Sequence, residues 1–321
     1  MGQGRCRSRS GVIAVAALGA GLLATSSASA HSSGATSRLL PPDLAVAVLG
    51  PGTRLLPDGL YEVQPEIGPP LTTHGPDGPP SAPMWPSTGF EPGDVERPPV
   101  CASHHQQHVL YARPAFGADN YAFAAPKIRG IVRRMNAVLN AESLASGGPS
   151  ADYRIGCDIA GEIVVDSLVT SGSSFSEIVS SARRAGFSSP LANYTIFFDG
   201  AAGPSCGFAS YTDDERPIAA NRNNLGGGYA VTYSGCWYGV TPMHESGHNM
   251  GAVQYGGPNS TGSGAHCNES HDIMCYTPDG GDRNQSATAY RCPGRGGSTA
   301  TSTTTSTPPP SRGSTWPHTG T

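Results

Sequence analysis

The stretch TPMHESGHNMGAVQYGG, residues 241–257, decides how this chain is read. Thr241 is a good N-cap and Pro242 a good first helical residue, so the spacing predicts a helix over 242–253. His244 and His248 are four apart. On a helix they point to one side, one turn apart. Both rings can then reach a single ion at about 2.0–2.1 Å. Glu245 stands beside them, placed to take a proton from a water that such an ion acidifies, without itself being a ligand. Gly251 permits a sharp turn out of the helix, because a left-handed conformation costs glycine little.

Downstream, Asp272-Ile273-Met274-Cys275-Tyr276 supplies a methionine with a tyrosine two residues on. HESGHNMG resembles the metzincin zinc-endopeptidase motif, and DIMCY resembles that family's Met-turn. The pair HESGHNMGAVQ and HCNESHDIMCY is similar to that of a group of secreted bacterial metzincin-like proteins. The likeness runs over roughly 95–292 and is specific only in 241–276. It implies an α+β fold: a twisted mixed sheet, a long backing helix and an active-site helix. It also implies Zn2+ as cofactor, Met274 as a hydrophobic floor under the metal, and Tyr276 as a group that binds zinc or the developing oxyanion.

Two departures from the family pattern matter. Most metzincins place His or Asp where this chain has Gln254, and a neutral amide is a poor zinc ligand beside imidazole. His266 is the first choice for the third ligand, with Asp272, Gln254 and His271 as rivals. A Cys267–Cys275 disulfide would hold His266 near the metal. The family also continues into a C-terminal helix. Here SATAYRC, 286–292, starts one, and a tail of Thr, Ser, Pro, Gly and Arg replaces the rest. A truncated or frame-shifted gene and a natural linker both account for that tail.

Working outward, HVLYARPA at 108–115 reads as a buried strand. Ile128, Ile131, Val132, Met135, Val138 and Leu139 recur at helical spacing in a long helix over 121–145, with Pro126 in its first turn. EIVVDSLVT at 162–170 alternates like a strand, and Phe175, Ile178, Val179 and Ala182 predict a short helix stopped by Gly186. YTIFFDG at 194–200 and YAVTYS at 229–234 read as further strands. These place one domain at 101–292.

Residues 1–30 read as a secretory signal peptide: Arg5, Arg7 and Arg9, an apolar run at 11–24, then Ala28-Ser29-Ala30. Residues 31–100 are Pro- and Gly-rich and read as a linker or propeptide wrapped on the domain that follows. Residues 293–321 read as a disordered tail. Removing the three arginines takes the formal net charge from −4 to −7, which argues against a nucleic-acid partner. Seven cysteines remain after Cys6 leaves, and in an oxidising compartment they form disulfides. Cys101–Cys157 and Cys206–Cys236 are the favoured pairs, with Cys292 left odd. Some metzincin propeptides cap the metal with a thiolate after a Pro-rich segment, so the resemblance offers Cys101 that second use, with 31–101 as an inhibitory propeptide.

Other clusters are read as ordinary surface: His104, His105 and His108 as a polar turn rather than a second metal site, and Asp213-Asp214-Glu215 as an acidic loop rather than a calcium site. The sequons at Asn193 and Asn259 are taken as chance matches. The sequence therefore predicts a secreted, monomeric zinc endopeptidase acting on a protein or peptide, with no membrane contact once the signal is removed. Zinc would be held by His244, His248 and His266, with Glu245 and Tyr276 catalytic. The other reading is an exported zinc-binding surface or adhesive protein without activity, motivated by Gln254 and the missing helix.

Overall fold

Residues 194–198 and 229–233 are mostly aromatic, β-branched or apolar and are buried throughout, which suits strands covered on both faces. A computed structural model describes residues 42–75, 96–145, 148–201, 205–237, 241–256, 260, 265–266 and 273–274. Its elements in chain order are α1 (Pro42–Leu49), β1 (Arg54–Leu55), β2 (Tyr61–Val63), β3 (Leu71–Thr73), β4 (Val100–Cys101), β5 (Gln106–Pro114) and α2 (Tyr121–Ala145). They continue with β6 (Arg154–Ile155), β7 (Val165–Thr170), α3 (Phe175–Arg184), β8 (Ala192–Phe198), β9 (Gly207–Ala209), β10 (Tyr229–Tyr233) and α4 (Thr241–Asn249).

The fold is a mixed α+β arrangement around a twisted, mixed sheet of seven strands. β5 lies at its centre, parallel to β8 on one side and to β6 and β7 on the other. β10 runs parallel to β8, and β9 closes that end of the sheet antiparallel to β10. Because side chains alternate along a strand, each central strand feeds two cores. Val109, Tyr111 and Phe197 join Ile128, Ile131, Val132, Met135 and Val138 of α2. Leu110, Ala112, Ile196, Phe198 and Val231 join Phe175, Ile178, Val179 and Ala182 of α3. Each large side chain buried this fully contributes about 1.5–3 kcal/mol.

The long periodic elements lie close to their predicted positions: α2 spans the predicted 121–145, and β5, β8 and β10 begin or end within two residues of the predicted runs. Pro126 sits one turn deeper in α2 than expected, as the sixth residue of the helix. The larger difference is in the Pro/Gly-rich segment, for which the sequence suggested no elements. Residues 42–73 carry a helix and a small three-stranded sheet in the order β1-β2-β3. Ala45, Val48, Leu49, Tyr61 and Val63 are buried in the same core as α3 and β10. The segment is too short to bury a core of its own; it contributes apolar side chains to one that the rest of the chain builds.

Both favoured disulfides are present, Cys101–Cys157 and Cys206–Cys236. Cys101 is therefore not a metal cap: its sulfur is bonded to Cys157. Cys267, Cys275 and Cys292, the predicted signal segment 1–30, the predicted helix start at 286–292 and the predicted tail 293–321 lie outside the described residues. Among the described residues, no helix is long and apolar enough to cross a membrane.

Candidate metal centre

α4 ends four residues earlier than its predicted end at 253, and the cause is local. The Ala252 N–H donates to the Gly247 carbonyl and the Gly251 N–H to the His248 carbonyl, with Gly251 at φ +71°. This pair of bonds closes a helix through a left-handed glycine. The short helix is buried along its whole length. It packs beside β10 and β9, and Ser210, just beyond β9, is hydrogen-bonded to Asn249 at 2.9 Å.

His244 and His248 emerge from α4 on one side, as their spacing predicts. The His244 Nδ1 lies 2.7 Å from the Ile273 carbonyl. A carbonyl only accepts, so Nδ1 carries the proton and Nε2 presents its lone pair. That Nε2 stands 3.0 Å from the Nε2 of His248 and 3.2 Å from the Nε2 of His266. Two nitrogens bound tetrahedrally to one ion at 2.0–2.1 Å would be about 3.3 Å apart. The three rings therefore fit a shared metal ion. His266 reaches the cluster from a chain that turns at Ala265, where φ is +57°. Ala265 is buried against Leu60 and Tyr211, which seats the turn.

Glu245 is fully buried beside these rings. The space it occupies exists because residue 207 on β9 is glycine: a Cβ there would collide with the Glu245 carboxylate. Met274 is buried beneath α4, and its sulfur would lie 2.6 Å from a Cβ added at Gly247. Gly247 is thus what lets the methionine approach the helix between the two histidines. Burial raises the Tyr233 phenol well above its ordinary value, and the Glu245 charge adds to the shift. Its hydroxyl donates to the Ser173 carbonyl at 2.9 Å, which makes Tyr233 a structural group.

A fourth histidine enters from the N-terminal segment. His74 follows β3, with its side chain almost wholly buried. Its Nε2 is 3.3 Å from Glu245 Oε2, and its ring stacks on that of His248 at 3.9 Å with planes 23° apart. Donor nitrogens of His74, His248 and His266 also lie within 4.8 Å of one another. Imidazole lone pairs lie in the ring plane, so two near-parallel stacked rings cannot both aim at one ion. Among the described residues, His244, His248 and His266 are a set that could hold a metal, with the His74 ring stacked on His248 beside it. Sequence reasoning missed His74, because it sits 171 residues from Glu245 in a stretch whose composition masks its strand.

Of the rival third ligands, Gln254 is engaged elsewhere. Its amide oxygen accepts the Asp214 N–H at 2.7 Å and its nitrogen donates to the Thr212 carbonyl at 3.2 Å. Asp272, His271 and Tyr276 lie outside the described residues. The Asp214 carboxylate is taken up by Arg216, at 2.7 and 2.5 Å, and by the Arg222 N–H at 2.8 Å. His108 meets Asp166 at 2.7 Å, at the start of β5.

No known protein-family profile matches the chain, and no curated protein matches it. Among solved structures it is similar to metalloproteinase-II from Bacteroides fragilis, with 15% identity and a TM-score of 0.27. The match covers 63% of this chain and 52% of that one, so the chain spans about half of its neighbour. A superposition that loose carries no argument, and the functional reading rests on the site itself.

Proposed function

We propose that the chain is an exported zinc-dependent endopeptidase. The observation that carries this reading is the His244, His248 and His266 nitrogens at 3.0 and 3.2 Å beside the buried Glu245. Three imidazoles suit a catalytic zinc, which keeps its fourth position for water or substrate, better than a structural one, which takes four protein ligands. Bound zinc would acidify water and polarise a peptide carbonyl. His244 is held for this task by the Ile273 carbonyl, which keeps its Nε2 deprotonated. Glu245 would accept the proton of the attacking water and hand it to the leaving amine. Gly207 leaves room for that carboxylate. Met274 would form an apolar floor under the histidines, and Tyr276 would bind the metal or the developing oxyanion. The two disulfides are consistent with an oxidising compartment. A protein or peptide is the proposed substrate, met by a monomer, with no nucleic-acid partner.

The first test is the metal. Purified chain dialysed against metal-free buffer is expected to retain about one zinc per chain. Glu245→Ala should keep that zinc and lose hydrolysis of a denatured protein substrate by about 10²–10⁴-fold. A variant that still cuts the substrate at the parent rate removes Glu245 from the mechanism. Zinc retained with no hydrolysis under any condition favours the binding-only reading.

A further inference from the structure

The histidines of α4 depend on the side of the helix that they do not use. Successive helical residues turn by about 100°, so Ser246 points about 160° away from both His244 and His248. Met243, Ser246 and Asn249, spaced by three, form the ridge that α4 turns to the sheet. Met243 enters the apolar core with Val109 and Phe197, and Asn249 meets Ser210 at 2.9 Å. Between them Ser246 is fully buried, with its hydroxyl 3.3 Å from that of Thr195 on β8. Thr195 is buried too, and its hydroxyl is bonded to Gln107 Oε1 on β5 at 3.0 Å. One proton and two lone pairs let a hydroxyl donate to one neighbour and accept from another. Ser246, Thr195 and Gln107 therefore make one continuous chain from α4 to the central strand.

Apolar burial is not directional, so the core around Met243 does little to fix how far α4 is turned about its own axis. A hydrogen bond is directional, and this one sits at the middle of the helix, between Glu245 and Gly247. The lever is long. At an outer radius of about 5–6 Å, a turn of about 10° moves a side-chain tip by about 1 Å. Metal–ligand distances tolerate only about 0.2 Å. A catalytic group displaced by about 1 Å loses about 10²-fold in rate.

We infer that the Ser246–Thr195–Gln107 chain sets the rotation of α4, so that Ser246 and Thr195 are positioning residues for the metal histidines and Glu245. The inference rests on the zinc reading of that site, and its test reads the metal rather than hydrolysis. Thr195→Val keeps the side-chain volume and removes the hydroxyl; Ser246→Ala does the same from the helix side. Zinc affinity is measured by competition with a chromophoric chelator, and ligand geometry by the visible absorption of the cobalt(II)-loaded chain. Both variants should bind zinc at least about tenfold more weakly than the parent, the lower end of what outer contacts to a metal site cost. Their cobalt spectra should differ from the parent's, and Thr195→Ser, which restores the hydroxyl, should restore both readouts. Parental affinity and spectrum in Thr195→Val and Ser246→Ala overturn the inference, whatever their melting temperatures, because the chain then only stabilises the fold. An equal loss in Thr195→Ser overturns it as well, since the methyl and not the hydroxyl would matter. If one of the two variants does not fold, the other is held to the same criterion. If neither folds, the chain is a requirement for folding and the positioning role falls. A folded parent that loads no metal counts against the zinc reading itself.

Discussion

At the scale of single residues, the site depends on what is absent as much as on what is present. Gly247 lies between the two histidines of α4, and the Met274 sulfur fills the space a side chain would take. Gly247→Ala should therefore destabilise the protein by about 1–3 kcal/mol, the usual cost of overpacking a closed core. Urea unfolding would measure the loss, and zinc affinity should fall with it because the added methyl displaces the floor under His244 and His248. An unchanged midpoint would mean that Met274 moves aside freely. His244, Glu245 and His248 were legible from spacing alone, since a helix converts a separation of four into a shared face. His266 was named among four alternatives, because ligand chemistry ranks imidazole above an amide but cannot place a loop; the structure brings its Nε2 to 3.2 Å from that of His244. His74 was not legible. No periodicity links residues 74 and 245, and only the packing of two distant segments brings them together.

At the scale of elements, the loop after β9 illustrates how a residue suggested for the metal serves elsewhere. Gln254 clamps Thr212 and Asp214, and Asp214 in turn binds Arg216 and the backbone at Arg222. Hydrogen bonding to Arg216, reinforced by the Arg222 N–H, holds the Asp214 carboxyl below the usual carboxylate range. A carboxyl depressed in the folded state contributes stability above its unfolded value, near pH 4, and loses that contribution as the pH falls further. Asp214→Asn is accordingly expected to lower the thermal midpoint at about pH 6, with the gap to the parent narrowing toward about pH 3. A gap that stays constant across that range would argue that the Asp214 charge does not matter. Helices α2 and α3 and strands β5, β8 and β10 were readable because each is long enough to show a period. Strands β1 to β4, β6 and β9 have two or three residues each, and alternation cannot declare itself over so short a run.

At the scale of the whole molecule, the N-terminal segment is part of the structure that builds the site. Leu49, at the end of α1, is completely buried among residues of α3, β8 and β10. Leu49→Ala should cost about 2–5 kcal/mol, as in other closed cores, and a single cooperative transition should be retained. A cost near zero, read by denaturant unfolding, would show that 42–75 rests on the domain without stabilising it. Composition concealed this role, since proline and glycine dominate the segment while a few apolar residues do its packing.

The strand at 72–74 has one more effect. An end strand with a row of unpaired N–H and C=O groups is a template on which another chain can grow a sheet, and soluble proteins keep such edges short, charged or covered. β9 is short, entirely buried and without charge, so covering is the protection it has. The hydrogen bonds from Ala209 and Tyr211 to the N-terminal segment supply that cover. Any process that withdraws the segment bares an adhesive edge, so an opened chain would be exposed to self-association.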